Sequence, residues 1–297
     1  FQQVKPMLQC FESWFGPFPW YEDGYKLVET PHLGMEHQSA VAYGNRYQNG
    51  YLGRDRSATG HGLLWDFIIV HESAHEWFGN SITMKDAADM WIHESFATYA
   101  EGLCIECQQG KHAGAQYTIG QRKLIRNDVP IIGTYGVNHE GSGDMYDKGA
   151  NMLHTIRQLM DDDARWRGIM RGLNKTFWHQ TVSGKQIEDY LSSRSGMNLK
   201  KVFDQYLRTT KVPTLEYKLQ GSKLSYRWTN VVPGFAMPVK VTTSRGKLSW
   251  IRPTESWKTA QVHLTRPEEF HVDENFYVVA KDLLRPATDS TTARKAL

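Results

Sequence analysis

The sequence predicts an α+β protein: a mainly helical domain over residues 1–212, a small β-sandwich module over 213–285, and a polar tail over 286–297. Three observations predict it. Apolar residues recur at helical spacing through most of the stretch from Leu63 to Arg208. After Pro213 the pattern changes to short β-prone runs separated by turn residues. At 297 residues, 40% of them hydrophobic, the chain can bury roughly 75% of its unfolded surface, enough for a full core and two domains.

Taken in order, Phe15-Gly-Pro-Phe-Pro19 is a turn cluster, and Tyr25–Glu29 alternates like a strand. His37–Tyr43 alternates too, with Ser39, Val41 and Tyr43 on one side. Gly44–Gly62, rich in Gly and Arg, is expected to be a long loop. Leu63–Phe78 is apolar enough for a buried helix, and Gly79-Asn80 suits its C-terminal cap. Asp86–Cys107 is a second helix, with Met90, Phe96, Tyr99 and Leu103 at helical spacings. Asp144 can cap a third that begins near Met145. Helical patterns follow over Arg165–Phe177, Gly184–Leu191 (with Ser183 as cap) and Leu199–Arg208. Beyond Pro213 the strands are Leu215–Leu219, Leu224–Trp228, Val239–Thr243, Leu248–Ile251 and Phe276–Val279, with turns at Gly221-Ser222 and Pro233-Gly234. The tail is expected to fray.

Composition excludes several classes. With 35 Lys+Arg against 32 Asp+Glu, a formal charge of +3, the chain lacks the imbalance of a disordered segment. Its basic residues are scattered rather than banded, so no nucleic-acid partner is expected. The longest apolar run, Leu63–Val70, is interrupted by Asp66 and too short to span a bilayer. Three cysteines are too few, and odd in number, for a disulfide framework. Cys104-Ile-Glu-Cys107 has the spacing of a redox or zinc pair but lies in a helical pattern, so buried thiols are expected there.

The chemistry centres on His71-Glu72-Ser73-Ala74-His75. Residues four apart share a helix face, so both imidazoles can reach one metal. Glu72 sits about 100° around the helix from His71 and about 60° from His75, where it can flank a metal without ligating it. A general base for a bound water belongs there. A catalytic zinc takes three protein ligands and keeps a fourth position open. Glu94, nineteen residues after His75 in the next predicted helix, is the third candidate. The bland alternative is a helix whose histidines are merely satisfied in the core.

His71–Asn80 together with Trp91-Ile-His-Glu-Ser-Phe-Ala-Thr-Tyr99 resembles the zinc aminopeptidases related to aminopeptidase N and leukotriene hydrolase. Leu33-Gly-Met-Glu-His37 resembles that family's Gly-x-Met-Glu-Asn exopeptidase motif, and Tyr146-Asp-Lys-Gly-Ala150 its Tyr-x-Lys-Gly segment. The four blocks share the family's order and spacing. The resemblance implies a thermolysin-like (gluzincin) catalytic domain with one zinc ion per chain, held by His71, His75 and Glu94. It implies Glu72 as the base and Tyr146 as hydrogen-bond donor to the tetrahedral oxyanion. Glu36 would bind the substrate's free α-amine, with Gly34 and Met35 adding main-chain contacts, so the expected partners are peptides with a free N-terminus. Leu33 and His37 depart from the motif, which puts the usual side-chain preference in question. The resemblance also makes Phe1 a cut within a larger peptidase, whose N-terminal β domain is expected to pack on this one. Compartment is left open.

Weaker candidates remain. Glu101, seven residues after Glu94 on the same face, is expected to orient a ligand imidazole, and Glu76 could do the same. His93 points about 100° away from Glu94 and is left out of the metal set. Arg46, Arg54 and Arg56 could contact a substrate carboxylate or simply be solvated. Two alternative functions stay open: a zinc endopeptidase or epoxide hydrolase on the same fold, and a non-catalytic peptide-binding module.

Overall fold

The computed structural model describes residues 1–285 and divides into two compact units, Phe1–Thr210 and Lys211–Leu297. The expected tail, 286–297, lies outside the described residues.

The first unit opens with a helix the sequence reading passed over, α1 (Val4–Phe15), whose buried Met7, Cys10, Phe11 and Trp14 follow the i, i+3, i+4, i+7 rule. Three short strands come next: β1 (Leu27–Glu29), β2 (Gly34–Met35) and β3 (Val41–Tyr43). They form one sheet in the order β1-β3-β2, parallel between β1 and β3 and antiparallel between β3 and β2. The expected alternation from His37 is broken, because Ser39 turns to a left-handed φ of 58° and the strand covers only 41–43.

The motif helix is shorter than expected. A 3-10 turn occupies His61–Leu63, and α2 (Phe67–Ala74) begins only after Asp66, whose carboxylate accepts from the amides of Ile68 and Ile69. After β4 (Ile82–Met84) a second 3-10 turn, Ala87–Asp89, leads into α3 (Trp91–Gln109). Against its back lies α4 (Lys111–Gly120), a second helix unforeseen from sequence. Its glycines hid it. They serve close packing: a Cβ on Gly114 would fall 2.5 Å from the carbonyl oxygen of Gly102 on α3.

Four more helices complete the unit: α5 (Asp147–Met160), α6 (Asp163–Thr176), α7 (Gly184–Ser195) and α8 (Lys200–Arg208), with β5 (Gln180–Val182) pairing parallel to β4. Ser183 caps α7 through a reciprocal capping box with Gln186. Asp144 does not cap α5. Its carboxylate accepts from the amides of Arg126 and Asn127, while Ser142 caps a 3-10 turn at Gly143–Met145. Tyr146 therefore precedes the helix instead of lying two residues inside it.

The cysteine reading needs a larger correction. Cys107 is not a buried thiol: it forms a disulfide with Cys10, tying the end of α3 to α1 across 97 residues of sequence. Cys104 remains a buried free thiol, its pKa pushed up to about 12 by burial.

Apart from a 3-10 turn at Pro267–Glu269, the regular structure of the second unit's described residues is β. A hairpin of β6 (Thr214–Gln220) and β7 (Lys223–Thr229) is flanked by β10 (Lys258–Gln261) on β7 and by β11 (Val279–Asp282), parallel to β6. A second hairpin joins β8 (Val239–Ser244) to β9 (Lys247–Ile251). The expected strand at Phe276–Val279 begins only at Val279, and β10 was not foreseen.

Candidate metal and peptidase site

Asp66 starts the site. Besides capping α2, its carboxylate accepts from Tyr43 Oη at 2.6 Å and Asn45 Nδ2 at 2.8 Å, so β3 and the following loop hold the helix at its N-terminus. One turn on, His71 and His75 face the same side, and the first turn of α3 brings Glu94 opposite them. His71 Nε2, His75 Nε2 and Glu94 Oε2 form a triangle with edges of 3.3, 3.3 and 3.4 Å. A tetrahedral zinc with bonds of roughly 2.0–2.1 Å has ligand–ligand edges of about 3.3–3.4 Å. The donor set, two imidazoles and a carboxylate, is one that could hold this ion.

The other ring nitrogens are committed. His71 Nδ1 lies 2.7 Å from Glu101 Oε1, and His75 Nδ1 lies 2.9 Å from the carbonyl oxygen of Phe78. Both imidazoles thus have a partner that fixes their orientation and leaves Nε2 for a metal. Glu101 is itself pinned: its Oε2 accepts from Tyr117 Oη at 2.7 Å and Gln121 Nε2 at 2.9 Å. Tyr117 and Gln121 lie in and just after α4, the helix that sequence did not reveal, so these two supports were missed with it.

Glu76 has a different job. Its carboxylate accepts from the amide of Ser39 and from Asn80 Nδ2, bracing the turn before β3. His93 also lies outside the triangle, with its Nε2 accepting from the Met84 amide. Burial and the neighbouring His75 lower its pKa to about 4.

Glu72 stands beside the triangle. Burial raises its carboxyl above the usual range, and the nearby Glu36 and Glu94 push the same way. Glu36, Glu72 and His75 bring one ligating atom each to within 4.8 Å of one another. Gly34 is what lets the strand come so close: a Cβ there would lie 2.7 Å from Glu72 Oε1 and 2.8 Å from Ile68 Cγ2. Met35, beside it in β2, is 42% exposed. Of the two departures from the exopeptidase motif, Leu33 accepts the Gly44 amide through its carbonyl, and His37 is exposed on a tight turn.

Tyr146 approaches from the far side. Its ring stacks on His71 at 5.9 Å between centroids, and the Glu94 carboxylate is the nearest of the acidic groups that act on its phenol. Burial, then the acidic groups around it, raise its pKa and keep the phenol protonated. The turn that carries it is held by Ser95 Oγ, which donates to the carbonyl oxygen of Met145 at 2.6 Å. Gly149, whose Cβ would lie 1.9 Å from the same Ser95 Oγ, lets α5 press onto α3.

The peptidase family M1 domain matches residues 1–206. The chain belongs to peptidase family M1. Among curated relatives, this M1 domain is 29% identical to aminopeptidase N of Lactococcus lactis subsp. lactis over 69% of the chain and 26% of that protein. It is 22% identical to probable aminopeptidase 1 of Sulfurisphaera tokodaii over 75% of the chain and 30% of that protein. The chain thus spans about a quarter to a third of the length of these relatives. Among solved structures it is similar to a mutant M1 zinc metallopeptidase from Deinococcus radiodurans bound to a Tyr-Ser-Ala substrate, with 25% identity and a TM-score of 0.55. That match covers 70% of this chain and 44% of the other. No helix among the described residues is long and apolar enough to cross a membrane.

Proposed function

We propose that this M1 domain is a zinc-dependent aminopeptidase that hydrolyses the N-terminal peptide bond of peptides. The observation that carries the reading is the junction of two clusters at His75. On one side His71, His75 and Glu94 make a triangle of zinc dimensions; on the other Glu36 and Glu72 bring two carboxylates to the same imidazole. A hydrolytic centre with a second carboxylate beside it is what one-residue counting needs.

Zinc held by His71, His75 and Glu94 would supply Lewis acidity toward a water molecule and the scissile carbonyl. Glu72 takes the proton of the attacking water on its carboxylate and returns it to the leaving amine. Its raised pKa suits a group that must both accept and release a proton. Tyr146 donates its hydroxyl hydrogen bond to the oxyanion of the tetrahedral intermediate. Glu36 pairs with the substrate's α-ammonium, and Gly34 and Met35, on the edge strand β2, offer main-chain groups to an extended peptide. The second unit is read as a small sandwich module, and a domain N-terminal to this one as a partner packed on it.

The test uses aminoacyl anilides with free and with N-acetylated amines, on the zinc-loaded protein. Cleavage of the free substrate only, with most activity lost in Glu36→Ala, is expected. Equal cleavage of both would remove the exopeptidase reading.

A further inference from the structure

Arg56 lies in the loop between β3 and α2, where Arg46 and Arg54 are exposed but Arg56 turns inward. Its Nη2 donates to both carboxylate oxygens of Asp147 at 3.1 Å. Asp147 is the first residue of α5, next to Tyr146, and its side chain is 8% exposed. The guanidinium also lies over the ring of Phe67, 5.2 Å from its centroid. Phe67 in turn stacks on the imidazole of His71 at 5.1 Å, nearly parallel at 13°. Tyr51 lies beside Phe67, edge-on to it at 5.2 Å, and its ring is 5.8 Å from the guanidinium carbon. A planar cation is therefore packed against two adjoining rings while one of its amino nitrogens meets both oxygens of a single carboxylate.

We infer that Arg56 is a positioning residue for the proposed peptidase reaction: by holding Asp147 it fixes the turn that presents Tyr146 to the site. On its N-terminal side the turn is held by the Asp144 carboxylate, which accepts from the amides of Arg126 and Asn127, and by the bond from Ser95 to the Met145 carbonyl; Arg56 and Asp147 are the side-chain anchor on the C-terminal side of Tyr146. Tyr146 itself sits between the 3-10 turn Gly143–Met145 and α5, with ψ of −85° at its own position. The charge logic agrees. Burial raises the Asp147 carboxyl to about 6, so its ionised form near neutral pH depends on the cation facing it. Arg56 has no need to touch substrate to do this, which separates it from a group that recognises a peptide's C-terminal carboxylate.

The inference rests on the aminopeptidase reading, so the experiment has one arm that needs no turnover. In the first arm, Arg56→Met, Arg56→Lys and Asp147→Asn are assayed on a free aminoacyl anilide, each alone and with Tyr146→Phe. Arg56→Met is expected to lower kcat by about 10- to 100-fold with KM within about threefold, since misplacing a group by about an ångström costs that much. Arg56→Lys should recover part of the loss. In the Tyr146→Phe background, Arg56→Met should change kcat by less than about twofold, because the group it positions is gone. In the second arm, 3-fluorotyrosine is placed at position 146 and read by fluorine NMR. One narrow resonance is expected for the parent protein, and a shifted or broadened one after Arg56→Met or Asp147→Asn, with unchanged circular dichroism.

Equal losses of kcat in both backgrounds with an unmoved fluorine resonance would overturn the inference. So would a loss confined to substrates bearing a free C-terminal carboxylate and seen in KM alone. A parent protein inactive on free and acetylated substrates alike counts against the aminopeptidase reading, and the fluorine arm then decides the role of Arg56 by itself.

Discussion

Gly34 leaves no space for a side chain in front of Glu72: a Cβ at that position would sit 2.7 Å from the glutamate's Oε1. Strand β2, proposed to offer main-chain groups to a peptide, and the proposed base are therefore in direct van der Waals register. Gly34→Ala must displace either Glu72 or Ile68, both of which meet the added carbon below 3.0 Å. The expected outcome is a kcat lower by about 10- to 100-fold, with zinc content unchanged. Steady-state kinetics alongside metal analysis check it. Full activity in Gly34→Ala would mean that the strand can retreat freely.

Glu101 holds His71 by its Nδ1, and Tyr117 and Gln121 hold Glu101. Glu101→Ala should weaken zinc binding by about 10- to 100-fold, the usual cost of losing such a support. Tyr117→Phe removes one of two bonds to the same oxygen and should cost less. Titration against a competing chelator at fixed pH ranks the three proteins. Identical affinities would show that the imidazole needs no anchor.

Tyr146 is protonated and close to Glu94. Tyr146→Phe keeps the ring that stacks on His71 and removes only the hydroxyl. We expect kcat to fall by about 100- to 1,000-fold with little change in KM, the pattern for a bond made in the transition state. A matched fall in binding of a ground-state analogue would assign the hydroxyl to substrate binding instead.

Acid stability should depend on Asp163. Its side chain is 40% exposed, so burial opposes ionisation only in part, and Arg157 and Lys111 hold the carboxyl down at about 2. The folded value lies below the unfolded value of about 3.9, so the stabilisation is present above about pH 4 and lost as pH falls toward 2. Asp163→Asn should melt about 2 °C below the parent at neutral pH, with the gap closing between pH 4 and 2. Paired thermal melts across that range measure it; a constant gap would place the effect in packing.

Much of the site was legible because helical spacing is rigid. The i, i+4 histidines, the flanking Glu72, and Glu94 with Glu101 seven residues on are all fixed by the geometry of two helices. What was not legible depends on contacts distant in sequence. Helix α4 carries glycines that argue for a loop, and only packing explains them, of Gly114 on Gly102 and of Gly120 on Ser57. Asp144 reads as a helix cap, yet two amides from 126–127 compete for its carboxylate and win. Arg56 looks like its solvated neighbours until Asp147, 91 residues away, supplies a partner. The strands β6–β9 were visible in the alternation alone; β10, a run of Lys, Thr, Ala and Gln with little apolar signal, was not.

The bond between Cys10 and Cys107 has a consequence for how the protein is made. It closes a loop of 97 residues that includes the triangle of His71, His75 and Glu94, and such a closure restrains the unfolded chain by about 4–5 kcal/mol in the entropic account. Thiol counting on the denatured protein should find one free cysteine, Cys104, before reduction and three after it. Host cells that keep thiols reduced would deliver the same polypeptide without its staple, with α1 held to α3 by packing alone. Two preparations of identical sequence and mass within two protons can then differ in heat tolerance and shelf life, and an oxidising export route is the production choice that yields the stapled one.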